Sequence, residues 1–178
     1  ELYELDSQYD EYEKVGARII ARDPGNWFYS FVINKGAEDG LSVDMNVMAG
    51  SGLVGRIVDI GPNWSKVKAI IADDSNISAM VLSSSDNMVV TGDLRLYASG
   101  VISFEQLIDS DDVVAEGDKI VTSNISDKFL PGILIGYINT INTDSNNLTK
   151  SGYITPAVDF EHLEEVLVIV ELKQTIED

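Results

Sequence analysis

The chain has one histidine, His162, set in Asp159-Phe160-Glu161-His162-Leu163-Glu164-Glu165. A Ser-His-Asp hydrolase needs an imidazole held between a carboxylate and a serine. Carboxylates abound near it, but no Gly-x-Ser-x-Gly turn is present to raise a nucleophile, and Gly50-Ser51-Gly52 reads as a flexible turn. His162 is expected to be a solvated, last-turn residue. Calcium would suit the acidic loops. Asn142, Asp144 and Asn146 fit the first three ligand positions of an EF-hand, but Asn147 then stands where glycine is needed and Tyr153 where the closing glutamate belongs. Asp109, Asp111 and Asp112 lack the glycine too. One His and no Cys give zinc a poor donor set. The glycine patterns of phosphate-binding loops are absent. No catalytic residue, no metal ligand and no cofactor site is assigned. Four Asn-x-Ser/Thr triplets, at Asn63, Asn76, Asn124 and Asn147, are what chance gives in so Asn- and Ser-rich a chain.

The elements that would have to position any chemistry are strands. Gly50 to Gly61, G-S-G-L-V-G-R-I-V-D-I-G, carries glycines at 50, 52, 55 and 61 among apolar residues. In a helix each glycine costs about 1 kcal/mol relative to alanine. In a twisted strand glycine permits a barrel corner and close backbone approach. Period-two, β-branched stretches recur at Ala17–Arg22, Trp27–Asn34, Val43–Ala49, Leu53–Ile60 and Val67–Ala72. They continue at Ser78–Leu82, Met88–Gly92, Leu94–Ala98 and Gly100–Phe104. After these come a hairpin over Val113–Asn124, then Ile133–Ile141, Tyr153–Pro156 and Glu165–Leu172. Short strands at such regular spacing predict an all-β barrel or sandwich.

Residues 1 to 14 differ. They lack Gly and Pro, and Leu2, Leu5, Tyr9 and Tyr12 follow the 3-4-3 spacing of a coiled-coil seam. This helix is either the end of a longer coiled coil or a cap on the barrel. Within Trp27–Phe31, Trp27, Tyr29 and Phe31 share one face, which is either core or a partner-contact surface.

The 178 residues carry 30 acidic and 12 basic side chains, a net charge of -18, and no cysteine. Disulfides and thiolate metal sites are therefore excluded. The charge repels phosphate backbones, so no nucleic-acid partner is expected. No run of 18 or more apolar residues is present to span a bilayer as a helix. The chain starts at Glu1, inside an amphipathic pattern, and is expected to be a piece of a longer protein.

Taken in order, several segments resemble the MreC family of bacterial rod shape-determining proteins. They are Ala17–Trp27 (A-R-I-I-A-R-D-P-G-N-W), Ile33–Leu41 (I-N-K-G-A-E-D-G-L), Gly52–Ile57 (G-L-V-G-R-I), Gly117–Ser123 (G-D-K-I-V-T-S), Leu130–Gly136 (L-P-G-I-L-I-G) and Pro156–Val170. Asn124 stands where the family often has glycine. The resemblance implies an all-β fold of two small six-stranded-type β-barrels, with a short N-terminal helix that ends a coiled coil. It divides the chain into residues 1–14 as helix, 15–64 plus 150–172 as a discontinuous first barrel, and 65–149 as the second.

The resemblance also implies a function. Family members are single-pass membrane proteins on the extracytoplasmic face of the bacterial membrane, and the anchoring helix would lie upstream of this chain. They are non-catalytic scaffolds of the cell-elongation machinery that organise peptidoglycan synthesis and cell shape. Their partners are the elongation-specific penicillin-binding protein and membrane proteins of the same complex, and they form homodimers or filaments. On that reading Leu2, Leu5, Tyr9 and Tyr12 serve self-association, and Trp27, Tyr29 and Phe31 serve partner contact. Two other readings remain. Val113–Val121 also resembles the hairpin of lipoyl-type and efflux-adaptor barrels, although Lys119 lacks the flanking methionine of a lipoyl site. A chymotrypsin-like hydrolase would need a serine beside His162.

Overall fold

A computed structural model describes residues 12–22 and 29–173. Its regular structure is almost entirely strand, in twelve segments. They are β1 (Lys14–Arg22), β2 (Ser30–Ile33), β3 (Asn46–Ala49), β4 (Gly52–Ile60), β5 (Ser65–Ala69), β6 (Asn76–Val81), β7 (Asn87–Thr91), β8 (Ile102–Leu107), β9 (Lys119–Thr122), β10 (Leu134–Thr143), β11 (Lys150–Pro156) and β12 (Glu165–Ile169). Helix among the described residues is limited to α1 (Leu94–Tyr97) and 3-10 turns at Ala37–Asp39 and Phe160–His162.

Strand pairing closes two rings. β4, β3, β12, β1, β2 and β5 lie side by side in that order, and β5 returns to β4. β10, β9, β6, β7, β8 and β11 form the second ring, with β11 returning to β10. Closure leaves no strand edge unpaired within a ring. The rings meet at one parallel contact, Gly52 of β4 opposite Leu134 of β10.

Alternation explains why these residues become strands. In β5 and β6 every second side chain is buried: Ser65, Val67 and Ala69, then Ile77, Ala79 and Val81. Phe31, Ile33, Val47, Ile57, Val67 and Val168 fill the first ring, and Ile77, Val90, Ile102, Phe104, Ile120 and Ile154 the second. Removing each from water contributes roughly 1.5–3 kcal/mol, an upper figure because unfolded chains already bury some surface. Gly55 shows what the glycines of β4 are for. A Cβ there would lie 1.9 Å from the Lys68 carbonyl oxygen of the neighbouring β5. Register shifts on both sides of β4, between Val47 and Met48 and between Ile57 and Asp59, mark where the strands bend.

Several elements differ from the sequence reading. β5, placed with the second barrel by a boundary after residue 64, pairs with β2 and β4 of the first. β11, placed with the first by a boundary before residue 150, pairs with β10 and β8 of the second. The Gly61-Pro62-Asn63 turn is a hairpin within the first ring rather than a border. Leu94–Ala98 forms a helical turn, because Asp93 accepts a hydrogen bond from the Leu96 N–H and Asp73 one from the Leu94 N–H. Residues 113–115 form loop, and Val113 is exposed. Lys14 already belongs to β1, so no helix reaches residue 14.

Candidate interaction surfaces

The residues singled out for contact are placed unevenly. Leu2, Leu5, Tyr9 and Trp27 lie outside the described residues. Tyr12 sits at a bend just before β1 and packs against the core. Tyr29 is half-buried, and Phe31 is only 3% exposed. Phe31 is thus a core residue and offers a partner nothing. It alternates with Val32 and shares its inward direction with Ile33. Tyr29 stays accessible in a groove of about 450 Å3, where it meets Ala72, Asp73 and Asp74 of the β5–β6 link and Leu94 and Arg95 of α1.

A second concavity, of about 580 Å3, lies on the first ring and is lined by Gly16, Arg18, Lys35, Ala49, Glu165 and Leu167. Small outward residues make the trough, and Leu167, 38% exposed, adds an apolar wall. A smaller polar cleft of about 200 Å3 runs between the rings and gathers Arg56, Lys68 and Lys128 with Asp74 and Asp127. Its cations are committed. Arg56 donates to Asp44 at 2.7 Å, Lys128 to the same carboxylate at 3.1 Å, and Lys68 pairs with Asp74 at 2.8 Å. The Lys68 hydrogen bond is the main reason Asp74 titrates below its usual value.

The rings are stitched at more places than the single strand contact. Asn46 of β3 is 1% exposed. Its side-chain oxygen accepts from the Leu130 N–H at 2.8 Å, and its amide donates to the Lys128 carbonyl at 3.0 Å. Both partners belong to the β9–β10 loop of the second ring. Lys173, past β12, donates to the Asn124 carbonyl at 2.8 Å. On another side, α1 touches both chain crossings. The Leu94 N–H bonds to Asp73 at 2.9 Å on the first crossing. The Tyr97 hydroxyl accepts from the Phe160 N–H at 3.0 Å on the second, and the two rings stack edge to face at 5.5 Å. Burial raises the Tyr97 pKa. Gly92, just before α1, presses on the first crossing so closely that a Cβ would sit 2.1 Å from the Ala72 carbonyl.

Catalytic geometry is thin around the histidine. His162 Nδ1 lies 2.7 Å from Asp159 Oδ2 on an exposed turn, and that bond raises its pKa. Among the described residues no group of three or more His, Cys, Asp or Glu is arranged to hold a metal. Asp144 and Asn146 spend their oxygens on the β10–β11 turn instead, accepting from Ser151, Thr149 and Leu148. No described helix is long and apolar enough to cross a membrane.

A family model described as rod shape-determining protein MreC, barrel core, matches residues 19–170. The chain belongs to the MreC family. The cell shape-determining protein MreC of Listeria monocytogenes is 32% identical over 162 residues, which cover 89% of this chain and 54% of that protein. The chain spans about half the length of the curated relatives it matches. A solved MreC structure from Listeria monocytogenes superposes with a TM-score of 0.81 at 28% identity, covering 98% of this chain and 87% of the other. A further likeness is to a chain in a complex between the penicillin-binding protein PBP2 and MreC from Helicobacter pylori. It has a TM-score of 0.65 at 12% identity, covers 88% of this chain and 99% of that one, and shows the shared fold.

The sequence reading missed the residues that join the two MreC barrels. Asn46, Asp44, Arg56 and Lys128 are unremarkable in the chain, since Asn46 and Lys128 stand 82 residues apart. One local signal was available. Asp44 has a left-handed backbone, φ 76°, which Asp tolerates better than most residues.

Proposed function

We propose that this chain is the extracytoplasmic barrel region of a membrane-anchored, non-catalytic scaffold that organises peptidoglycan synthesis and so maintains cell shape. The observation that carries the reading is the family match across both barrels, residues 19–170, to proteins named for determining cell shape. A penicillin-binding protein is the proposed partner, as in the Helicobacter pylori complex. The two closed rings, seamed by Asn46 and by α1, suit such a role because a scaffold must hold partner sites at fixed spacing. Self-association through Leu2, Leu5 and Tyr9, as the end of a longer coil, giving a homodimer or filament, belongs to the same proposal; Tyr12, packed against the core, does not. So do an anchoring helix ahead of Glu1 and contacts to other membrane proteins of the elongation complex.

Depletion of the full-length protein in its host tests the reading. Cells should round up, and the elongation penicillin-binding protein should lose its localisation. Re-expression with His162→Ala should restore shape fully. Unchanged shape on depletion, or failure of the His162 variant despite normal folding, would end the proposal. Leu5→Glu with Tyr9→Glu in the full-length protein should lower its sedimentation coefficient. An unchanged value would remove the seam.

A further inference from the structure

Three strongly exposed aliphatic side chains stand at one end of the second barrel: Leu148 at 76%, Ile108 at 59% and Val113 at 58%. Singly, such residues would need no explanation. Strand pairing brings the loops that carry these three to the same end, where Lys150 pairs with both Asp109 and Asp112. β8 ends at Leu107, directly opposite Lys150 of β11, so Ile108 follows one side of that pair and Leu148 precedes the other by two residues. Lys150 Nζ donates to Asp109 Oδ2 at 2.9 Å and also to Asp112. Asp109 in turn accepts from the Val113 N–H at 2.9 Å and the Val114 N–H at 3.0 Å. Its side chain is fully buried. The neighbouring turn is equally well tied. Asp144 accepts from the Thr149 and Ser151 hydroxyls, both at 2.6 Å, and Asn146 from the Leu148 N–H at 2.8 Å.

We infer that this end of the second barrel is a preformed docking tip for a protein segment that carries aliphatic or aromatic side chains flanked by Lys or Arg. Apolar groups on loops ordered beforehand bind without a further ordering cost. Charge selects the occupant. Residues 108–113 and 143–150 hold Asp109, Asp111, Asp112 and Asp144 against the one cation Lys150. This surface attracts basic flanks, and it repels both an anionic lipid surface and the same tip on a second copy. The inference stands on this geometry and does not need the scaffold reading.

The test uses the full-length protein in its own cells, with the photoreactive amino acid p-benzoylphenylalanine at Leu148. Illumination should join it to one protein, through a peptide whose apolar residues sit beside Lys or Arg. The yield should fall at least fivefold when Asp111→Lys is added, since Asp111 is exposed and reversing it cuts the local net charge from -3 to -1 without touching the Asp109 lock. With the photoreactive group at Ile108 instead, Leu148→Ser should reduce the yield similarly, at an unchanged melting temperature. Adducts to lipid or to a second copy of this chain, no adduct, or a yield indifferent to Asp111→Lys would each overturn the inference. An adduct that is present in the parent and lost on Asp111→Lys, with cell shape intact, would support the tip and leave the scaffold proposal to its own test.

Discussion

The two barrels have the same strand number but are built differently. The second is one continuous stretch, β6 to β11, residues 76–156. The first takes five strands from residues 14–69 and its sixth, β12, from residues 165–169. Its ring therefore closes only after the whole second barrel has been threaded between β5 and β12. The second barrel also holds a fully buried carboxylate, Asp109, locked by Lys150. The ion pairs around Asp44 at the seam are partly exposed instead, with 29% of the Asp44 side chain accessible. The difference teaches where stability is local and where it is borrowed. The second barrel contains its own closure and its own lock, whereas the first depends on a distant strand and on contacts across the seam.

Removing β12 strikes hardest at this contrast. A protein ending after residue 163 leaves β1 and β3 with open edges and exposes the core that Val166 and Val168 cover. Amide exchange should show protection lost throughout β1 to β5 and retained in β6 to β11. Protection lost from both barrels together would show that the second is not autonomous.

Next in size is Asp109→Ala. It leaves Lys150 short of a partner and two backbone N–H groups unsatisfied, at a cost of about 3 kcal/mol in urea unfolding. Burial pushes this carboxyl up, but Lys150 and the Val113 and Val114 N–H groups outweigh it and hold its pKa below 3.8. A carboxyl so depressed stabilises the fold above its unfolded value and loses that contribution as pH falls through the folded one. The wild type should thus lose stability below about pH 4, and the Asp109→Ala variant should lose less over the same range. Equal acid sensitivity would show that the lock lies elsewhere.

Asn46→Leu should cost about 2 kcal/mol, because the Leu130 N–H is left buried without an acceptor. Exchange of the Leu130 amide should accelerate, while amides inside β6 to β8 stay slow. A global acceleration would mean that the barrels unfold as one unit. Lys128→Ala, at a pair half open to solvent, should cost under about 1 kcal/mol. The smallest effect belongs to His162. Its pKa is raised by Asp159, so what it contributes is present below pH 6.5 and lost as pH rises through the folded value. An NMR titration should give a midpoint above 6.5 in the wild type, and Asp159→Asn should lower it. A midpoint unaffected by that change would separate the pair.

The parts legible in the chain were those governed by neighbours along it. The glycines of β4 announced a bent strand, and Gly55 lies against the β5 backbone as such a glycine must. Asn142, Asp144 and Asn146 fit the start of a calcium loop but Asn147 and Tyr153 broke the pattern, and in the structure the Asp144 and Asn146 oxygens hold a turn. Where an alternating pattern was short, it misled. Leu94-Arg95-Leu96-Tyr97 reads as strand, but Asp73, 21 residues away, captures its first N–H and favours a helical turn. The face shared by Tyr29 and Phe31, opposite Phe28, could have pointed either way from the alternation alone. Only ring closure, with β1 on one side and β5 on the other, decides which face is inside.

Period-two apolar patterning and glycine placement, both properties of residues a few positions apart, were enough to make this chain a set of short bent strands, and the order of its motifs was enough to place it with MreC. Which strands close which ring, that Asp109 meets Lys150 across 41 residues, and that Asn46 joins the barrels were decided by tertiary structure alone. Burial of a charge or an amide is affordable only when a partner arrives from elsewhere in the fold, and no local spacing records where that partner will come from.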